Sequence, residues 1–113
     1  MAISAKIRSR IMARDGFCYH CGTNDDLIIH HRKNRGMGGS KLLDTPSNLI
    51  TICAIFNSLM ESDADSAAWA KQCGLKLASW QDSEKVPVYH QTLNRWFRLG
   101  DDWSVVEAEP GGW

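Results

Sequence analysis

The 113 residues leave room for one domain with a modest core, not two, and no apolar run approaches the roughly 20 residues of a membrane-spanning helix. An apolar fraction of 43% with 23% charged residues is ordinary for a globular protein. The formal charge is zero, yet residues 1–41 carry +5 and residues 42–113 carry −5, so one face can seek phosphate while the chain stays neutral overall.

In chain order, Ile3, Ile7 and Ile11 fall at i, i+4 and i+8 and predict an amphipathic helix over 3–14. Lys6, Arg10 and Arg14 lie on its other face, Ser4 is its N-cap and Gly16 its stop. The N-terminus lacks the long apolar stretch of a secretory signal, so a cytoplasmic protein is expected. Phe17 to Gly22 forms a tight turn around Cys18-x-x-Cys21. A strand at about 27–31 follows, then a polar, Gly-rich loop over about 33–47 and a second strand at about 48–52. A helix begins near Cys53 or Ala54 and buries Phe56, Leu59 and Met60. Ser62 or Asp63 breaks it and caps another helix over about 64–73, which buries Ala67, Ala68, Trp69 and Ala70 and stops at Gly74.

From Leu75 the pattern turns to short strands at about 76–80 and 86–89. Residues 95–99 pair with 103–106 across the Gly100-Asp101-Asp102 turn, and 107–113 form a frayed tail. Trp69, Trp80, Trp96 and Trp103 are expected in core or sheet packing. The domain expectation is a single unit over 1–113, with a core at about 15–62, an extension at about 63–106 and the tail.

The residues that carry chemistry centre on His30-His31 at the end of the first strand. Neighbours on a strand point to opposite faces, so the two imidazoles have separate jobs. Asn48 and Asn57 flank the second strand. Together with Arg14-Asp15-Gly16, Cys18-x-x-Cys21, His30-His31-Arg32, Arg35-Gly36-Met37-Gly38-Gly39-Ser40, Asn48-Leu49 and Cys53 followed by Asn57 and Glu61, this resembles the HNH (ββα-metal) endonuclease family. It is similar in particular to small HNH proteins encoded by phages of actinobacteria.

The resemblance implies an α+β fold with a small ββα-metal core, an N-terminal helix, and a C-terminal helix plus short antiparallel strands. It implies a divalent-metal-dependent DNA endonuclease that nicks or cuts. His30 and Asn57 would hold one Mg²⁺ or Mn²⁺, and His31 would act as general base. Asn48 would hold the loop and the His31 backbone. Arg32 is expected to grip a phosphate oxygen bidentately. Lys33, Arg35, Gly38, Ser40 and Lys41 are expected along the DNA, where glycines let backbone amides approach closely. Glu61, one turn after Asn57, either orients a metal-bound water or is a solvated helix charge. DNA is the implied partner, and a phage origin would place the protein beside the packaging terminase.

The family usually carries a structural zinc on two Cys-x-x-Cys pairs. Here Cys18 and Cys21 form one pair, but the second reads Cys53-Ala54-Ile55-Phe56, and Phe56 cannot ligate a metal. Three outcomes stay open. Zinc is kept by three thiolates with water, His20 or Cys73 as a substitute; it is bound weakly; or it is lost, with Phe56 as core. The sequence leans towards loss, since a large aromatic packs best in an apolar site. The competing functional reading is a non-catalytic DNA-binding or packaging-accessory module, and a third is a zinc-ribbon-like interaction protein.

Overall fold

The computed structural model describes residues 3–33 and 43–110. Ser4 opens the first helix, α1 (Ala5–Asp15), by accepting the Ile7 amide at 3.2 Å, which satisfies one of the unpaired N–H groups of a helix start. Gly16 closes it at φ +80°. Ile11 is fully buried and Ile7 half-buried, as the i, i+4 spacing requires. Arg14 departs from the expected solvent face. Its guanidinium donates to the carbonyls of Pro46 at 2.7 Å and Leu49 at 2.6 Å and pairs with Asp15 at 2.7 Å. Asp15 also accepts the Thr51 amide at 2.8 Å, so this pair fastens α1 to the second strand.

That strand, β2 (Leu49–Cys53), pairs antiparallel with β1 (Leu27–His31), from Leu27 opposite Cys53 to His31 opposite Leu49. All five residues of β2 are buried and all five of β1 are half-buried. α1 and α2 touch both strands but pack more heavily on β2, in keeping with its largely apolar run. β2 starts one residue later than expected, because Pro46 begins a 3₁₀ turn over Pro46–Asn48 that takes Asn48 with it.

The helix α2 (Ala54–Ser62) is capped by the Cys53 sulfur, which accepts the Phe56 amide at 3.3 Å. Phe56 and Met60 face the core. Leu59, expected with them, is 39% exposed and shares the outer side with Ile55. Asp63 caps α3 (Ala64–Gln72) through the Ser66 amide. Only Ala70 of that helix is fully buried; Ala67 and Trp69 are half-buried and Ala68 is exposed.

Beyond α3 the chain returns along β1 rather than forming the strand expected at 76–80. Leu77 alone pairs, as an isolated parallel bridge with Lys33. The Gln81 side chain accepts the Ala78 amide at 2.7 Å and turns the chain away, leaving Trp80 82% exposed instead of packed. β3 (Val88–His90), β4 (Arg95–Leu99) and β5 (Val105–Ala108) then form an antiparallel sheet in that order. The expected hairpin is present, but Trp103, at φ +71°, belongs to its turn. Glu107 and Ala108, expected to fray, pair with Phe97 and Trp96. Among the described residues the fold is therefore α+β, with three α-helices and two small antiparallel sheets. No helix among them is long and apolar enough to cross a membrane.

Candidate functional site

β1 ends on the two histidines, and each ring is tied by Nε2 to a different neighbour. His30 Nε2 lies 2.8 Å from the Leu75 carbonyl. A carbonyl can only accept, so Nε2 carries the proton and Nδ1 keeps the lone pair. His31 Nε2 lies 2.7 Å from a carboxylate oxygen of Asp44, which selects the same tautomer. Among the described residues neither Nδ1 has a hydrogen-bond partner. Burial pulls the His30 pKa down to about 4, against the opposing pull of the Leu75 carbonyl, so this ring is neutral at neutral pH.

Both histidines border one cleft of about 240 Å³. Asn57 and Glu61 enter it from consecutive turns of α2, and Lys76 and Leu77 from the segment after α3. Glu61 is at the rim, with Lys76 Nζ 3.9 Å from its carboxylate. The strand, strand, helix order β1–β2–α2 thus brings His30, His31 and Asn57 to one cavity. As a donor set, an imidazole whose other nitrogen is fixed on a carbonyl, together with an amide oxygen, fits a divalent cation.

Asn48 is 1% exposed and links Lys33 to Leu43. Its amide oxygen accepts the Lys33 N–H at 2.7 Å, and its amide nitrogen donates to the carbonyls of Lys33 and Leu43. The Arg32 N–H also donates to the Asn48 carbonyl at 2.8 Å. Asn48 therefore ties the chain just beyond His31 to the start of β2.

Arg32 does not offer its guanidinium to a phosphate. It is 1% exposed and donates to four backbone carbonyls: Gly74 and Ser47 at 2.8 Å, Ser83 at 2.9 Å and Val86 at 2.7 Å. His30 and His31 occupy the strand end, and the next residue turns under Asn48 into a core crowded with carbonyls from the C-terminal segment. Burial lowers its pKa to about 10, still far above neutrality. Lys33 is half-buried, while Arg35, Gly38, Ser40 and Lys41 lie outside the described residues. Of the basic N-terminal half, Lys6, Arg8 and Arg10 are exposed on α1.

The chain matches no protein-family model, no curated protein and no solved structure. Its chemistry is therefore read from its own residues.

The second cluster joins Cys18, Cys21 and Cys53, whose sulfurs all lie within 4.8 Å of one another. Cys21 and Cys53 are 3.7 Å apart. The turn after α1 presents Cys18 and Cys21, and β2 delivers Cys53 at its end. Backbone N–H groups of His20 and Cys53 donate to the Cys18 sulfur at 3.3 and 3.2 Å. Burial pushes the Cys53 thiol up to about 11. A tetrahedral zinc with Zn–S near 2.3 Å would separate its sulfurs by roughly 3.8 Å, so the three thiols fit a metal ion. Phe56 occupies the expected fourth position, 2% exposed, with the His20 ring stacked flat on it at 3.7 Å and Trp69 edge-on at 5.4 Å. Neither His20 nor Cys73 joins the three sulfurs.

Two participants were missed by sequence reasoning. Asp44 is the only acid between Asp26 and Glu61, and that isolation in a basic and apolar stretch was an available signal. The Leu75 carbonyl left none, since a backbone acceptor has no sequence signature.

Proposed function

We propose that this chain is a divalent-metal-dependent DNA endonuclease of the HNH (ββα-metal) type. The observation that carries this reading is the pair of adjacent histidines, each with its Nε2 proton committed and its Nδ1 without a partner among the described residues, bordering one cleft with Asn57. One strand end thus supplies two imidazoles with the same nitrogen committed, and the helix that follows supplies an amide oxygen donor.

In this reading His30 and Asn57 hold one Mg²⁺ or Mn²⁺. When bound, the ion neutralises charge on the scissile phosphate and on the departing 3′ oxygen. His31 takes the proton of the attacking water. Its Nδ1, without a hydrogen-bond partner among the described residues, is the atom that would accept it. Asp44 fixes the His31 ring and stabilises the imidazolium that proton capture creates. Asn48 fixes the peptide after His31, and the buried Arg32 locks the floor beneath it. Glu61 and Lys76 set a mixed charge at the cleft's rim.

The sequence over 34–42, with its basic and glycine residues, is of a composition that suits a phosphate backbone. A packaging terminase remains a proposed partner through the resemblance alone. Incubating supercoiled plasmid with the full chain and Mg²⁺ or Mn²⁺, beside a folded His31→Ala control, tests the reading. Nicked or linear product from the wild type alone supports it. Salt-dependent binding without cleavage under either ion would favour a non-catalytic DNA-binding module instead.

A further inference from the structure

The thiol cluster has three sulfurs where a closed structural zinc site has four, and its remaining side is not sealed. Cys18 is fully buried and Cys53 is 5% exposed, but Cys21 reaches the surface. A cleft of about 410 Å³ opens onto Cys21 and Cys53, walled by Ile55 and Phe56 and edged by Asp25 and Asp26. The separation of Cys21 and Cys53, 3.7 Å, already matches two thiolates sharing a tetrahedral ion. The Cys18 sulfur accepts the backbone N–H groups of His20 and Cys53, which fix it beside the other two sulfurs.

What closes such a site in other proteins is a fourth side-chain ligand. Here that position carries a phenyl ring with no lone pair to give. His20 is the nearest alternative by sequence, but its ring lies parallel to Phe56 within 4° and packs edge-on to Trp69. Turning it towards the sulfurs would break both contacts. Three protein ligands with an open fourth position are the arrangement of a zinc that carries an exchangeable water rather than of a closed structural site.

We propose that Cys18, Cys21 and Cys53 hold a zinc ion whose fourth ligand is an exchangeable solvent oxygen facing the cleft beside Phe56. The metal is then accessible from outside, and this holds whether or not the histidine cleft cleaves DNA.

The test uses the full chain, reduced and loaded with one equivalent of Zn²⁺, and two readouts independent of nuclease activity. X-ray absorption should count three sulfurs and one oxygen at the zinc. Transfer of zinc to a chromophoric chelator should be fast in the wild type and slow in Phe56→Cys, which restores the fourth thiolate. An outer-shell partner alone is worth about tenfold in metal affinity, so a whole added ligand should slow transfer by at least that much. If Phe56→Cys fails to fold, Cys21→Ser serves, because Cys21 is exposed; it should abolish stoichiometric zinc uptake while the fold persists. Four sulfurs in the wild type, a nitrogen ligand that disappears in His20→Ala, or no zinc uptake would each overturn the proposal.

Discussion

His31 Nε2 sits 2.7 Å from Asp44 Oδ1, so a carboxylate from just before β2 fixes the ring of the second histidine on β1. The contact joins the end of β1 to the residues that lead into β2. It also decides which nitrogen of His31 remains basic. Replacing Asp44 with Asn is expected to leave the fold and DNA binding intact and to lower the cleavage rate. Outer-shell partners of active-site histidines typically matter by about 10–100-fold, and that is the expected loss. Single-turnover cleavage at saturating enzyme measures it; an unchanged rate would remove Asp44 from the site.

Arg32 gives a prediction that separates structure from recognition. Arg32→Met leaves the carbonyls of Gly74, Ser47, Ser83 and Val86 without their donor. An unsatisfied buried acceptor costs about 1–3 kcal/mol, so the variant should lose at least about 3 kcal/mol and unfold well below the wild type. Urea denaturation reads this directly. A phosphate-contacting arginine would instead weaken DNA binding with no change in stability.

Gly74 supports both neighbours of the pair. It lies at φ +76°, and a Cβ there would collide with the Pro87 carbonyl. Its own carbonyl holds Arg32, and the next carbonyl holds His30. Gly74→Ala is therefore expected to cost more than about 1 kcal/mol, through the left-handed backbone and the clash together. Thermal melting measures the loss, and a melting temperature equal to the wild type's would contradict the packing described for this turn.

His90 makes the fold sensitive to acid. It is 2% exposed, packed against Phe17 and Tyr19, and its pKa is lowered by burial more than nearby Asp15 raises it. A folded-state pKa below the unfolded value near 6.5 means the unfolded chain takes up protons first as pH falls. The stabilisation is thus complete above about pH 6.5 and is lost on acidification through the folded pKa. His90→Phe keeps the ring contacts without the titrating nitrogen. Its melting temperature should fall less between pH 7.5 and pH 5 than the wild type's; equal losses would show that His90 contributes nothing to acid sensitivity.

Legibility in the sequence followed the range of the interactions. The helix spacing of Ile7 and Ile11, the caps at Ser4 and Asp63, and the strand over 27–31 are local patterns and appear as expected, while Ile3 lies ahead of the Ser4 cap, outside α1. Residues whose fate depends on distant backbone were misjudged. Arg14 and Arg32 read as surface cations but serve carbonyls 32 or more positions away at Pro46, Leu49, Gly74, Ser83 and Val86. Trp80 read as core because it is large and apolar, yet the Gln81 side chain turns the chain outward there. The three sulfurs come together despite Phe56, because the Cys18–Cys21 turn and the end of β2 are fixed by their own hydrogen bonds.

The central claim is that the histidine cleft hydrolyses phosphodiesters. Its most direct test is cleavage of an end-labelled DNA duplex by wild type and His31→Ala, matched for folding, with Mn²⁺ and with chelator. Metal-dependent cleavage leaving 5′-phosphate and 3′-hydroxyl ends is expected, absent with chelator and reduced at least about a hundredfold in His31→Ala, the lower range for loss of a general base. Intact DNA under every metal, or equal cleavage by the variant, would contradict it.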